Sequence, residues 1–129
     1  MPGAAGNGRI SSAARADYAA AAATVLADDS GHAGKTYELA GDTAYTLAAF
    51  AAEIARQSGK PVVYKNLPEA DYKAVLQGVG LPEPLAEVLA ERDTKAASDV
   101  LFDDGRQLSR LIGRPTTTIA QSIAATLAG

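Results

Sequence analysis

Residues that could carry out chemistry are few in this chain. Doubled aspartates stand at Asp28-Asp29 and Asp103-Asp104, and the single histidine, His32, follows the first pair in a glycine loop. Aspartates before a turn or helix are typical of caps and solvated charge rather than of a metal or acid–base cluster. Ser11 and Ser12 lack a nucleophile elbow, so they do not indicate a triad with His32. With no cysteine and one histidine, the sequence assigns no catalytic residue and no metal ligand.

A second set of residues could bind a phosphate. Arg110 and Arg114 shortly precede a predicted helix start at Thr116–Thr118, and the free amides of a helix start bind anions. The alternative is that Gly113 and Pro115 stop one helix and a threonine caps the next, which explains the same residues. No tyrosine has a lysine four residues further on, so the Tyr-x-x-x-Lys pair of the usual dehydrogenases is not available.

The stretch that must position any site is Lys35–Leu67, which predicts a strand, a helix and a strand. Apolar and polar residues alternate over Lys35–Ala40, as in a strand. Asp42 can cap a helix whose apolar stripe is Leu47, Phe50, Ala51 and Ile54. Gly59 and the following proline end that helix, and Val62–Leu67 resumes the extended pattern. We therefore expect a right-handed βαβ crossover of a parallel or mixed sheet.

The residues before this stretch are rich in glycine and alanine. Residues 1–8 hold three glycines and a proline, which predicts a flexible lead or turn. Residues 9–14 predict a short strand of small residues. An alanine-rich helix is then predicted from Asp17 to about Leu26, followed by a turn-rich loop.

After Leu67 the sequence predicts short helices. The polar, aperiodic segment Glu91–Ser98 is interpreted as a mobile loop on the substrate side. Asp103 or Asp104 is predicted to cap the next helix, and Thr116 or Thr117 the last one. The larger Leu, Ile and Val residues of the helix stripes are expected to form the core. In total we expect an α/β chain with three short strands and about six helices.

The bulk properties narrow the class of protein. A chain of 129 residues predicts a single domain with a real core. Its net charge of −3 argues against a nucleic-acid surface. No apolar run approaches the roughly 20 residues that span a bilayer, so we expect no membrane segment and a cytoplasmic location.

Four segments together resemble a known family. They are RADYAAA at 15–21, GKTYELAGD at 34–42, LFDD at 101–104 and LIGRPTTT at 111–118. In this order and spacing the chain resembles the C-terminal portion of NmrA-like proteins, which are atypical short-chain dehydrogenase/reductases. It is most similar to their NAD(P)H:quinone oxidoreductase type 2 subfamily, from about Gly6 to Leu127.

This resemblance implies a fold and an activity. It implies an α/β chain like the C-terminal part of a Rossmann protein without its nucleotide-binding half, with 9–129 as the substrate domain. The intact family transfers a hydride from NAD(P)H to a quinone, and its glycine-rich cofactor loop would lie in the absent half. Gly3, Gly6 and Gly8 follow no predicted strand, so we expect that this chain binds no cofactor alone and is inactive. Alternatives are a regulatory or interaction module, or a small-ligand domain using a cleft between the crossover stretch and the late helices.

The resemblance also implies site residues and partners. Arg15, Asp17 and Tyr18 would lie on the substrate side, near the junction with the nucleotide-binding half. The alternatives are that Asp17 caps its helix, that Arg15 pairs with Asp17 or with solvent, and that Tyr18 belongs to the core. A quinone or a small aromatic ligand is the implied partner. In the fold that the chain resembles, residues 9–14 would pair with Val62–Leu67, and Lys35–Ala40 would join the large Rossmann sheet. Because that sheet belongs to the absent half, we expect a homo-oligomer formed through the exposed edge of Lys35–Ala40.

Overall fold

The computed structural model describes residues 1–28 and 31–129. Within those ranges the chain forms two short strands and six helices. In chain order they are β1 (Pro2–Gly3), α1 (Arg15–Ala27), α2 (Leu47–Ser58), β2 (Lys65–Asn66), α3 (Glu69–Gly78), α4 (Glu83–Ala96), α5 (Gln107–Ile112) and α6 (Ile119–Ala128). The chain divides into two compact units: the first is Met1–Ile10 with Tyr45–Leu101, and the second is Ser11–Ala44 with Phe102–Gly129. The predicted α/β class with about six helices is confirmed.

The first unit is built on a parallel strand pair. In that pair Pro2 lies opposite Lys65, and Gly3 lies opposite Asn66. The amide of Lys65 donates to the carbonyl oxygen of Met1 at 2.9 Å, and the amide of Leu67 donates to the carbonyl oxygen of Gly3 at 2.8 Å. Helix α3 packs against both β1 and α4. Since α2 lies between β1 and β2 in the chain, a parallel crossover is present.

The predicted strand at Lys35–Ala40 is wrong. In the described part of the chain this segment pairs with no strand, and the amide of Glu38 donates instead to Oε1 of Gln107 at 3.3 Å. A strand requires a neighbouring backbone to complete its hydrogen bonds, and alternation alone does not supply one. The first strand of the crossover is β1.

The predictions for the N-terminal residues also differ from the structure. Residues 1–8, predicted as a flexible lead or turn, form β1 and a turn in which Ala4 and Ala5 are buried. The predicted strand at 9–14 reduces to one antiparallel bridge between Ile10 and Tyr45. Its predicted pairing with Val62–Leu67 is wrong because β1 already occupies that position.

The predicted mobile loop at Glu91–Ser98 is wrong, because α4 continues to Ala96. Ala90 and Ala96 are buried on this helix, and Lys95 pairs with Glu91 one turn earlier at 2.6 Å. The segment looks aperiodic because its buried positions are alanines, which give a weak apolar signal among charged neighbours.

The ends of α2 and α5 agree with the prediction, whereas the residues that cap the helix starts do not. Gly59 and Gly113 end α2 and α5 in the left-handed conformation, with φ of 67° and 68°, as predicted. Asp42 does not cap α2, whose N-cap is Thr46, with Oγ1 accepting from the amide of Ala49 at 3.2 Å. That cap lies four positions after Asp42, too far along the chain for the Asp42 carboxylate to reach the first-turn amides.

The other two predicted caps are also displaced. Asp103 accepts from the amide of Gly105 at 2.9 Å, in the turn before α5, and no side chain caps that helix. The N-cap of α6 is Thr118, two residues after Thr116, and it forms a capping box with Gln121. The sequence pattern located each helix start to within a few residues, but several polar residues there could serve as the cap.

The core consists mainly of alanine, and of the larger stripe residues predicted to form it only Leu108 and Ile123 are buried within the described ranges. The buried apolar residues are Ala4, Ala5, Ala21, Ala40, Ala51, Ala86, Ala90, Ala96, Leu108 and Ile123. Several stripe residues are exposed instead, among them Val79 at 70% and Leu85 at 48%. Alanine side chains are small, so the helices and turns that bury them can pack with their backbones close together. Within the described ranges, no helix has the length and apolar character needed to cross a bilayer.

The capping box at α6 gives a first prediction. Replacing Thr118 with alanine removes the hydroxyl that accepts from the amide of Gln121 at 3.2 Å. We expect the free energy of unfolding to fall by about 1 kcal/mol, measured by urea denaturation. The matched control is Thr36→Ala, at an exposed position, where a change within about 0.5 kcal/mol is expected. Equal effects of the two substitutions would show that the cap does not stabilise the helix.

Candidate functional site

Asp17 is the central polar residue of the second unit. It lies in the first turn of α1 and its side chain is fully buried. Its Oδ2 accepts from the amide of Thr117 at 2.6 Å, and its Oδ1 accepts from the Thr117 hydroxyl at 3.2 Å. Nη2 of Arg114 completes the set at 2.7 Å from Oδ1. Asp17 therefore ties α1 to the segment that precedes α6.

Asp42 makes a similar connection from the long loop. The amide of Asp42 donates to Oγ1 of Thr116 at 2.8 Å, and the amide of Thr116 donates back to Oδ2 of Asp42 at 3.0 Å. The hydroxyl of Ser109 donates to Oδ1 of Asp42 at 2.7 Å. Two carboxylates thus hold consecutive threonines, Thr116 and Thr117, in one geometry. We call this arrangement the threonine clasp.

Opposing influences set the pKa of both carboxyls. Burial raises the pKa of Asp17, but the Thr117 amide, Arg114 and the Thr117 hydroxyl outweigh it and hold the pKa below its ordinary value. Burial likewise raises the pKa of Asp42, while the hydrogen bonds from Ser109 and Thr116 and the positive charge of Arg106 lower it overall. Both groups are therefore carboxylates at neutral pH.

These two shifts predict acid sensitivity. Because the folded pKa is depressed, the unfolded chain binds more protons once the pH approaches the ordinary aspartate value of about 3.9. The stabilisation is therefore complete above that value and is lost as the pH falls through it towards the lower folded pKa. We expect the free energy of unfolding to decline below about pH 5. In Asp17→Asn, the slope of the free energy of unfolding against pH should be smaller in this range by up to about 1.4 kcal/mol per pH unit. An unchanged slope, measured by denaturation across pH, would contradict the assignment.

The sequence alternatives for Asp17 and Tyr18 are wrong, whereas Arg15 is exposed to solvent, one of the two alternatives given for it. Asp17 does not cap α1, because the N-cap is Ala14 and no side chain caps that end. The cation paired with Asp17 is Arg114, not Arg15. Tyr18 is 36% exposed and does not belong to the core. The predicted role of the three residues on the substrate side stays a prediction.

Arg15 lines a cleft of the second unit. This Arg15 cleft has a volume of about 250 Å³ and is lined by Ser12, Ala13, Ala14, Arg15, Thr117, Ile119 and Ser122. Within the described ranges, the guanidinium of Arg15 has no ion-pair or hydrogen-bond partner. The hydroxyl of Thr117 is held by Asp17 at one wall. The cleft therefore combines hydrogen-bond donors with apolar surface, the usual composition of a small-molecule site.

A second cleft of the same unit joins the predicted crossover stretch to α5. This Tyr37 cleft has a volume of about 280 Å³ and is lined by Tyr37, Gln107, Arg110 and Leu111. The sequence hypothesis of a ligand cleft between the crossover stretch and the late helices corresponds to this position. No motif marked its four residues as a group.

The other candidate residues are used in local contacts. Oγ of Ser11 accepts from the amide of Asp103 at 3.1 Å. Nδ1 of His32 lies 2.7 Å from the Tyr37 hydroxyl, and its Nε2 lies 3.3 Å from Oδ2 of Asp28 without hydrogen-bond geometry. Asp29 lies outside the described residues. In the part of the chain that the structure describes, no three metal-ligating side chains converge.

The two arginines of the predicted phosphate site both bind groups of the protein. Arg114 pairs with Asp17, and Nη2 of Arg110 donates to the carbonyl oxygen of Gly105 at 2.6 Å. Since a carboxylate already holds Arg114 and the Thr117 amide, the structure supports the alternative that these residues build the connection between α5 and α6.

In the first unit, three side chains hold the turn that follows β1. Consecutive amides donate to three different partners: Ala4 to Oδ2 of Asp93 at 2.8 Å, Ala5 to the Tyr64 hydroxyl at 3.0 Å, and Gly6 to Oδ1 of Asn66 at 2.9 Å. Burial, the largest influence, raises the pKa of Tyr64 above its ordinary value. We call this arrangement the amide clamp.

The amide clamp decides whether this turn fits a dinucleotide. Gly3 ends β1, so the prediction that Gly3, Gly6 and Gly8 follow no strand is wrong. A pyrophosphate requires free amides at a helix start. Here three amides already have partners, one of them the carboxylate of Asp93, which carries the same charge as the ligand. This turn does not fit the pyrophosphate of a nicotinamide cofactor.

Comparison with known proteins identifies reductases as the class to which the chain is similar. No family model matches it. The chain is 60% identical over 121 residues to quinone oxidoreductase 2 of Escherichia coli (strain K12), which covers 94% of this chain and 42% of that protein. The crystal structure of the NADPH-dependent quinone oxidoreductase from E. coli complexed with NADPH matches with a TM-score of 0.94 at 57% identity, over 98% of this chain and 44% of the other.

A second reductase extends the similarity. Triphenylmethane reductase of Citrobacter sp., complexed with NADP(H), matches with a TM-score of 0.90 at 31% identity, over 97% of this chain and 43% of the other. The chain thus spans less than half the length of the relatives it matches. The predicted resemblance to quinone oxidoreductase 2 is confirmed.

Proposed function

We propose that this chain forms the C-terminal, substrate-side part of an NmrA-like, NADPH-dependent quinone oxidoreductase. The observation that carries the proposal is its 60% identity to E. coli quinone oxidoreductase 2 across 94% of the chain. The whole protein would transfer a hydride from NADPH to a quinone, with the cofactor supplying the hydride. The chain alone would be inactive, in keeping with a β1 turn that does not fit a pyrophosphate.

The Arg15 cleft is the part of the chain that we assign to the quinone. A quinone is a flat apolar ring with two carbonyl oxygens, so it requires apolar walls and hydrogen-bond donors. Arg15 supplies a guanidinium without a protein partner in the described structure, and Ala14 and Ile119 supply apolar surface. Asp17 would act as a positioning residue, because it fixes Thr117 at the cleft wall and is itself buried. Tyr18 stays a candidate on the exposed side of α1.

A chimera tests this function directly. The segment of E. coli quinone oxidoreductase 2 that matches this chain is replaced by residues of this chain, and NADPH-dependent quinone reduction is followed. We expect the folded chimera to reduce the quinone. A chimera that binds NADPH and keeps a cooperative unfolding transition, yet reduces no quinone, would refute the proposal.

Arg15 can be tested in the same chimera. Arg15→Gln removes a charged donor, and we expect the KM for the quinone to rise about tenfold with the KM for NADPH unchanged. The matched control is Arg92→Gln, an exposed arginine of α4 that lines neither cleft, with both KM values unchanged. An equal effect of the two substitutions would remove Arg15 from the quinone site.

We further propose that the protein is cytoplasmic and that the isolated chain self-associates through 35–40. In the described structure this segment forms no strand pairing, so most of its backbone groups remain available to a second copy. Light scattering should give at least twice the monomer mass at high micromolar concentration. A monomer mass at that concentration would contradict the self-association.

A further inference from the structure

The Tyr37 cleft presents two kinds of surface to a ligand. Tyr37 provides an aromatic face, and Leu111 provides an aliphatic one. Gln107 and Arg110 provide a carboxamide and a guanidinium. Because Gln107, Arg110 and Leu111 are spaced i, i+3 and i+4, they share one side of α5. Polar and apolar groups therefore converge on a volume of about 280 Å³, near the roughly 300 Å³ at which small-molecule pockets begin.

Contacts outside the cleft fix these side chains. The Tyr37 hydroxyl lies 2.7 Å from Nδ1 of His32, and the two rings meet edge to face with centroids 5.7 Å apart. Oε1 of Gln107 accepts from the amide of Glu38. Nη2 of Arg110 is held by the carbonyl oxygen of Gly105. A ligand would find the groups already oriented, which lowers the entropic cost of binding.

The charge of the cleft indicates the ligand. In the described part of the chain, Arg110 makes no ion pair with a carboxylate, and its bond to Gly105 leaves the charge uncompensated. A guanidinium is planar and binds a carboxylate through two parallel hydrogen bonds. With a single cation and an aromatic wall, the cleft suits a planar carboxylate better than a phosphate, which usually requires several cations.

We propose that the Tyr37 cleft binds a small aromatic carboxylate, whose ring packs against Tyr37 and Leu111 and whose carboxylate pairs with Arg110. The volume fits one ring rather than two. The Tyr37 cleft shares no lining residue with the Arg15 cleft. The site is therefore additional to the quinone side of the proposed reductase, and either can fail without the other.

The test is a titration of the ¹⁵N-labelled chain followed by NMR, with benzoate as the probe. We expect saturable shifts at the amides of the four lining residues. Benzamide keeps the ring and loses the charge, and acetate keeps the charge and loses the ring. Both are expected to bind at least about tenfold more weakly than benzoate, since a charged hydrogen bond or the ring contact is lost.

Two arginine variants locate the charge that recognises the probe. Arg110→Gln is expected to weaken benzoate binding about tenfold or more, whereas Arg92→Gln on α4 leaves it unchanged. Benzamide binding as tightly as benzoate, an unaffected Arg110→Gln variant, or no saturable shift at the lining residues would each overturn the proposal. If Arg110→Gln unfolds, the comparison of benzoate with benzamide on the unmodified chain decides.

Discussion

Replacing Asp17 with alanine is expected to lower the free energy of unfolding by about 3 kcal/mol. The substitution removes the acceptor of the Thr117 amide and hydroxyl and the counter-ion of Arg114. A buried donor that loses its acceptor keeps the full cost of desolvation. We place the loss at the lower end of the range for broken buried pairs because the Arg114 side chain is 47% exposed and can regain water. Urea denaturation of the purified variant measures the loss.

The matched control for this prediction is Asp104→Ala. Asp104 is exposed and makes no hydrogen bond or ion pair in the described structure. A change within about 0.5 kcal/mol is expected there. If Asp17→Ala costs no more than Asp104→Ala, the threonine clasp does not hold the second unit together.

Replacing Gly8 with alanine is the second substitution with a large expected effect. A Cβ at Gly8 would overlap the carbonyl oxygen of Ala96 and lie 2.8 Å from Cα of Ala97. These are backbone atoms at the end of α4, so they cannot move aside as a flexible side chain would. We expect a loss of about 3 kcal/mol, at the upper end of the usual cost of overpacking. Thermal and urea denaturation both measure it.

Gly78 offers the same substitution with the opposite expected sign. A Cβ there meets no atom within 4 Å, and Gly78 is the last residue of α3. Because alanine favours the helix over glycine, Gly78→Ala is expected to be neutral or to stabilise by up to about 1 kcal/mol. A Gly8→Ala variant as stable as Gly78→Ala would show that the turn after β1 does not approach α4 as described.

Local patterns in the sequence were sufficient for most of the helices. Helix α2 has an apolar stripe and a glycine–proline stop, and it ends at Ser58, with Gly59 left-handed as predicted. Such signals act within one or two turns of the chain, so they can be recognised without knowing the tertiary structure. The buried alanines of α4 give no comparable signal, so the last six of its 14 residues, from Glu91 to Ala96, read as a loop in the sequence.

Long-range pairing could not be predicted from the sequence. Asp17 and Thr117 are 100 residues apart in the sequence. An aspartate near a helix start can be an N-cap or a buried hydrogen-bond acceptor, and the local sequence does not distinguish the two. The segment Lys35–Ala40 alternates as a strand does, yet pairing depends on a neighbouring backbone that alternation does not reveal. The parallel partner of β2 proved to be two residues in a segment interpreted as flexible.

Some residues of the two clefts could be selected from the sequence and others could not. Arg15 was selected through the resemblance to a family, and it does line a cleft. Asp17 is selected with it, and its buried side chain accepts a hydrogen bond from the amide of Thr117, which lines the same cleft. The Tyr37 cleft was not predicted residue by residue, because its aromatic and cationic walls come from segments about 70 residues apart in the chain.

We propose that this chain carries the substrate side of a reductase and binds no nicotinamide cofactor by itself. Isothermal titration calorimetry of the isolated, folded chain with NADPH tests that claim most directly. We predict no saturable heat, because the amides of the turn after β1 are taken by Asp93, Tyr64 and Asn66. Saturable binding of NADPH at micromolar concentration would contradict it and would place a cofactor site within these 129 residues.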